Sequence, residues 1–175
     1  MPLIYLARHA TPDRSRTDLP YHLQPGPPLT GHGRGLACQL GEYFRQAGVR
    51  TILTSPLERC LHTARIAAEI AGASLTIEAA LTEWQPDEKP EDVRQRMEPV
   101  FDASYQICTE DGPVALVTHG GPIAVLLEWL GMDRATLQSH RVYDYGNLLP
   151  PAAVWLAERE VGETSWKLSL AFIPN

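Results

Sequence analysis

The strongest constraint on the fold lies between Pro113 and Gly131. Pro-Val-Ala-Leu-Val-Thr (113–118) reads as a strand, His119-Gly120-Gly121 as a tight turn, and Ile123 to Leu130 as an apolar helix closed by Gly131. The same order recurs upstream. Residues 3–7 form a short apolar run of the kind a buried strand shows. Residues 11–30, rich in Pro, Asp, Arg, Thr and Gly, form a long loop, and long loops inside compact domains are often functional. Thr30 is placed to cap a helix whose apolar residues are Leu36, Leu40, Tyr43, Phe44 and Ala47, with Gly48 ending it.

Residues 49–54 then read as a second strand. Ser55 and Pro56 read as the cap and first position of a helix with a stripe of Leu57, Leu61, Ala64, Ala68 and Ala71, ended by Gly72. Residues 74–78 suit a short strand, and 81–90 a loop. Residues 91–108 suit a helix, with Pro99 marking a kink. Residues 152–159 and 165–172 read as strands joined in a hairpin by Val161-Gly162-Glu163-Thr164. The alternation predicts an α/β fold: a three-layer sandwich whose mostly parallel central sheet carries helices on both faces. Ligands in such sheets collect at the carboxyl ends of strands. Two of those ends carry chemistry here: Arg8-His9 after the first strand, and His119-Gly120-Gly121 after the 113–118 strand.

At 175 residues the chain fits one domain, 1–175. Its formal net charge of −6 argues against a general nucleic-acid binder, which needs a basic stripe to displace counterions. It does not oppose a small phosphorylated substrate, which a few convergent arginines can hold. No apolar stretch is long enough to span a membrane. The first apolar run ends at once in Arg8-His9, unlike a secretory signal, so a cytoplasmic location is expected. Cys38, Cys60 and Cys108 form no C-x-x-C pair and read as small buried hydrophobes in a reducing compartment. His22, His32, His62 and His140 show no ligand spacing, so neither a metal nor another cofactor is expected.

Four fragments carry the functional signal together: Leu6-Ala7-Arg8-His9-Ala10, the run from Ser55 to Ala64, Leu81-Thr82-Glu83, and Val117-Thr118-His119-Gly120-Gly121. In this order they resemble the histidine phosphatase superfamily, with its phosphoglycerate-mutase-like fold. Pro28-Leu29-Thr30-x-x-Gly33 before a helix is similar to a further block of that family, and the likeness spans about residues 3–150.

The resemblance implies roles. His9 matches the nucleophile, Arg8 and Arg59 the phosphate-binding arginines, His119 the second histidine on the phosphate, and Glu83 the proton donor. Arg14, His22, Trp84 and Asn147 are candidates for the substrate mouth. The chemistry suits these residue types. Two guanidinium groups can neutralise a doubly charged phosphate through charge-assisted hydrogen bonds and stabilise its equatorial oxygens during transfer. A neutral imidazole is a competent nucleophile near pH 7. Its other nitrogen should donate to a backbone carbonyl, for which Gly33 or a neighbour is a candidate. A carboxylic acid whose pKa rises beside the phosphate can protonate the leaving oxygen and then activate water.

The chain departs from the family pattern at Ala10, where Gly is usual; at Pro12, where Thr is common; and in the acid block, which lacks the usual Gly. The first expectation is a phosphatase acting on phosphomonoesters through phosphohistidine. A mutase is the alternative within the family, disfavoured by the short stretch between Glu83 and the helix near Glu91, which leaves water free to enter. A decayed phosphate-binding module is the alternative from another class, opposed by the presence of both arginines, both histidines and the acid. Sugar phosphates, phosphoglycerate analogues, ribazole phosphate and protein phosphohistidine all remain open as substrates.

Overall fold

The structure, a computed structural model, describes residues 1–160 and 162–175. Val161, expected in the hairpin connection, lies outside the described residues. The element order is β1 (Leu3–Arg8), α1 (Gly31–Gln46), β2 (Thr51–Thr54), α2 (Glu58–Ala71), β3 (Ser74–Ile77), α3 (Pro90–Asp111), β4 (Val114–Thr118), α4 (Gly120–Trp129), α5 (Arg134–Ser139), β5 (Val154–Glu158) and β6 (Lys167–Phe172). The strands form one sheet in the order β3-β2-β4-β1-β5-β6. The pairs β3–β2, β2–β4 and β4–β1 are parallel, whereas β1–β5 and β5–β6 are antiparallel. The expected α/β sandwich is present, with the terminal hairpin extending one side of the sheet.

The unbroken apolar runs in β1 and β4 follow from their place at the centre of the sheet. Successive side chains point to opposite faces, and both faces are covered by helices, so both sets are apolar. Ile4, Leu6, Val114 and Leu116 enter one core with Val93, Met97 and Phe101 of α3 and Ile123 and Leu127 of α4. Tyr5, Ala7, Ala115 and Val117 enter the other with Leu36, Leu40 and Phe44 of α1 and Ala64 and Ala67 of α2. Phe44 is fully buried, and truncating it to Ala should cost about 3–5 kcal/mol.

Several local expectations hold, and others are corrected. Thr30 caps α1, its Oγ1 accepting from Gly33 N at 2.9 Å. Ser55 does not cap α2: the helix starts at Glu58, with Leu57 in the cap position and no side-chain cap. Of the expected stripe, Leu57, Ala64 and Ala68 are buried whereas Leu61 and Ala71 are half-buried, and the buried face of the helix also takes in Arg59, Cys60, Thr63 and Ala67. The helix is turned so that Arg59 faces inward, leaving Leu61 half-buried. Pro99 does not break α3, which runs through it from Pro90 to Asp111. Pro99 and Gln95, whose carbonyl loses its helical donor, are both exposed, so water can satisfy the carbonyl. Gly120 and Gly121 form the first turn of α4 rather than a separate turn. Helix α5 lies in a stretch expected to be loop. Cys60 and Cys108 are buried, but Cys38 is exposed on the outer face of α1.

Candidate active site

The parallel register of β1 with β4 places Arg8 opposite Thr118, so His9 and His119 leave the sheet side by side. Their ring centroids lie 5.2 Å apart. The backbone of His9 is held from two sides: its N–H donates to Thr118 O at 3.0 Å, and its carbonyl accepts from Ala152 N at 3.2 Å. Arg59 enters from the first turn of α2, and Glu83 from the loop after β3. Thr118 Oγ1 donates to Leu81 O at 2.7 Å, tying that loop to the end of β4.

His9 Nδ1 donates to the carbonyl of Ala10 at 2.8 Å. That fixes the tautomer with a lone pair on Nε2. The orienting carbonyl is therefore Ala10's, not that of Gly33. Gly33 serves another purpose: a Cβ there would collide with the carbonyl oxygen of Thr11, so its lack of a side chain lets α1 press against the loop after His9. Ala10 has no positive φ, so its methyl group fits without strain in the position where the family usually has Gly. Its N–H donates to Thr63 Oγ1 at 3.0 Å.

Arg59 is fully buried and uses every nitrogen. Nε lies 3.3 Å from His9 Nε2, Nη1 donates to Tyr21 O at 2.9 Å, and Nη2 lies 3.3 Å from Glu83 Oε2. The Tyr21 ring covers the guanidinium at 4.0 Å. Glu83 Oε1 accepts from Trp84 N at 2.9 Å. Its Oε2 lies 3.3 Å from His119 Nδ1, while His119 Nε2 lies 2.9 Å from Ser55 Oγ. These partners give one consistent assignment, with Ser55 O–H donating to Nε2 and Nδ1–H donating to Glu83.

Burial and the positive charges of Arg59 and Arg8 hold the pKa of His9 well below its ordinary value, so the imidazole is neutral at pH 7. Burial pulls His119 down to about 4 despite the opposing charge of Glu83. For Glu83, burial pushes the pKa up, but His119, the Trp84 amide and Arg59 outweigh it and hold the carboxyl at about 2. The site thus contains two neutral imidazoles and an ionised carboxylate. His9, Glu83 and His119 offer ligand atoms within 4.8 Å of one another, a spacing that a metal site also shows. Arg59, however, presents N–H groups to both His9 and Glu83 and would oppose a cation placed between them. The site fits an anion. Helix α4 adds to this, since it starts at His119-Gly120 with no side-chain cap on its first amides.

A cavity of about 740 Å³ opens above these groups. Arg14, His22, Trp84 and Asn147, the four expected mouth residues, all line it, as do Arg8, His9 and Glu83. Arg14 is sandwiched between Tyr21 and Tyr145, 4.6 and 4.3 Å from their ring centres. Asn147 packs on α4 where a Cβ at Gly120 would collide with its Oδ1. His62 stays away from the site, on the surface of α2, with Nε2 3.6 Å from Glu58.

The sequence reading missed Asp144, whose carboxylate takes both terminal nitrogens of Arg8 at 2.7 Å. It also missed Ser55, Thr63 and Tyr21. Only Ser55 and Thr63 stood inside a recognised fragment, and nothing local marked them as partners of His119 and Ala10.

Residues 4–87 and 82–149 match a model of the histidine phosphatase superfamily (branch 1). A protein named "Probable phosphoglycerate mutase GpmB" of Klebsiella pneumoniae is 39% identical over 80 residues, which cover 46% of this chain and 37% of that protein. The match therefore spans little more than a third of that curated relative. Among solved structures, a mycobacterial glucosyl-3-phosphoglycerate phosphatase superposes with a TM-score of 0.76 at 20% identity, covering 97% of this chain and 98% of the other. A phosphoglycerate mutase of Bacillus anthracis superposes with 0.76 at 16% identity, covering 97% and 92%. At such identities these structures establish a shared fold.

Proposed function

The chain belongs to the histidine phosphatase superfamily, and on that premise we propose that it is a phosphatase that hydrolyses phosphomonoesters through a phosphohistidine on His9. The observation that carries the reading is the state of His9. It is neutral, with Nδ1 engaged by the Ala10 carbonyl and Nε2 directed to where Arg59 and Glu83 meet.

A phosphoryl group on Nε2 would take over the N–H groups of Arg59 that face His9 and Glu83, together with donors from Arg8. Once Arg59 turns to the phosphate, and two negative charges lie beside Glu83, the ionised form of Glu83 loses its support and its pKa rises. In the first step His9 Nε2 bonds to phosphorus and the ester P–O bond breaks. The leaving oxygen takes the proton from the Glu83 carboxyl. In the second step Glu83 takes a proton from water, the water oxygen bonds to phosphorus, and the N–P bond breaks to release phosphate. His119, neutral and held by Ser55, donates from Nδ1 to the Glu83 carboxylate and would donate to a phosphoryl oxygen when one is bound. No step calls for a metal ion.

Hydrolysis is favoured over mutase chemistry by the cover of the site. The segment between Glu83 and α3 is short and pinned: Trp84 Nε1 donates to Glu88 O at 2.9 Å, and Arg96 Nε pairs with Glu88 at 2.6 Å. It lines the mouth without forming a lid that would exclude water. The leaving group would lie against Tyr21, Trp84 and Arg14. The test is phosphate release from a panel of phosphomonoesters in EDTA, wild type against His9→Ala. Release by the wild type alone supports the reading. Release by neither, with retained phosphate binding, would leave a binding module.

A further inference from the structure

Arg8 is buried, with its side chain 2% exposed, and lies against a carboxylate that is 38% exposed. Its guanidinium carries five N–H donors in one plane. Nη1 donates to Asp144 Oδ1 at 2.7 Å and to Leu149 O at 3.0 Å, and Nη2 donates to Asp144 Oδ2 at 2.7 Å. One N–H of Nη2 and the N–H of Nε are left, and these two share the same edge of the plane. Nε is buried and has no partner among the described residues, although buried donors are almost always paired. Arg8 borders the cavity above His9.

We propose that Asp144 is a positioning residue for phosphate binding: it clamps Arg8 by its terminal edge, so that the unpaired Nε–Nη2 edge meets the phosphoryl oxygens. The inference rests on the reading of Arg8 as a phosphate ligand. Two parallel hydrogen bonds fix a guanidinium in both direction and plane, which a single bond cannot do. All the hydrogen bonds of the Asp144 carboxylate among the described residues go to Arg8.

The clamp is itself supported. The carbonyl of Asp144 accepts from Asn147 N at 3.1 Å and from Asn147 Nδ2 at 2.9 Å. Asn147 is seated on Gly120, the residue after His119, where no side chain could fit. The turn that holds Arg8 is thereby fixed to the helix start beside the second histidine. The carboxylate also balances the buried positive charge of Arg8, which holds the arginine in a fixed orientation.

The alternative is that Asp144 competes with phosphate for Arg8, and the two roles predict opposite results. The measurements are kcat and KM on p-nitrophenyl phosphate, Ki for inorganic phosphate, and melting temperature, for wild type, Asp144→Asn, Asp144→Glu and Arg8→Lys. Asparagine turns an NH₂ toward Arg8 and breaks the fork. KM and Ki should then rise by about 10-fold or more, with a smaller fall in kcat, and Asp144→Glu should recover much of the phosphate affinity. A merely structural loss would lower the melting temperature and the active fraction but leave KM and Ki unchanged, which would overturn the proposal. A fall in Ki would overturn it in favour of competition. If Arg8→Lys raises Ki while Asp144→Asn does not, the role of Asp144 fails alone. If neither changes Ki, the reading of Arg8 fails and the inference with it.

Discussion

Thr63 Oγ1 lies 3.0 Å from the backbone nitrogen of Ala10 and accepts its hydrogen bond, joining the residue after His9 to the helix that carries Arg59. The same hydroxyl donates to Arg59 O at 2.6 Å, so one buried side chain sets the spacing between His9 and the arginine beside it. Thr63→Val keeps the shape and leaves the Ala10 N–H buried without a partner. It should cost about 1–3 kcal/mol of stability and lower kcat as His9 and Arg59 lose their common support. Denaturant unfolding and steady-state kinetics on the same preparation check both effects.

His9→Ala removes the only proposed phosphoryl acceptor. Turnover should fall by about 10⁴-fold or more, and no acid-labile phosphoprotein should form in a quench after mixing with substrate. Trapped phosphoprotein in the variant would move the acceptor to another residue.

Glu83→Gln should slow alkyl phosphates by about 10²- to 10⁴-fold, the usual range for losing a general acid. p-Nitrophenyl phosphate, whose leaving group needs little protonation, should lose much less in phosphoenzyme formation. Equal losses on both would take Glu83 out of the acid role.

The buried histidines should make the protein acid-sensitive from an unusually high pH. The folded-state pKa values of His9 and His119 lie below the ordinary 6.5, so the unfolded chain takes up protons first as the pH falls. Stability is therefore complete above about pH 6.5 and declines below it, for His119 until about pH 4. Glu83 acts in the same direction lower down: its support is present above the ordinary 4.5 and is lost as the pH falls toward about 2. Each histidine should contribute up to about 1.4 kcal/mol per pH unit. Unfolding midpoints between pH 7 and pH 4 should show a shallower decline in His119→Gln than in wild type.

Activity should survive EDTA in full. Arg59 fills the position a cation would need between His9 and Glu83, and two guanidinium groups supply the charge a metal would otherwise bring. Loss of activity that added metal restores would contradict the metal-free mechanism.

The groups placed at strand ends were legible because strand ends are set by local pattern. An apolar run ending in Arg8-His9 or in His119-Gly120-Gly121 marks where the chain leaves the sheet. The parallel sheet then brings such ends together. Thr30 was legible as a cap for the same reason, since its partner is Gly33, three residues away. The misreadings occur where a distant partner overrode a local preference. Ser55-Pro56 has the form of a helix start, but the hydroxyl of Ser55 is placed to bond His119. The apolar spacing in 57–71 predicted the burial of Leu57, Ala64 and Ala68, but the inward placement of Arg59 shifted the face and left Leu61 and Ala71 half-buried.

The sequence by itself determined the layered α/β fold, because burial periodicity is a property of neighbouring residues, and its likeness to a known family marked Arg8, His9, Arg59, Glu83 and His119 as candidate site residues. Only the tertiary structure decided which atoms meet: Nδ1 of His9 on Ala10, Ser55 behind His119, and Asp144 on Arg8 across 136 positions of chain. The last two join residues 64 and 136 positions apart, which the strand order β2-β4-β1-β5 brings together. A hydrogen bond forms only over about 3 Å with the right alignment, a condition set in space that spacing along the chain does not record.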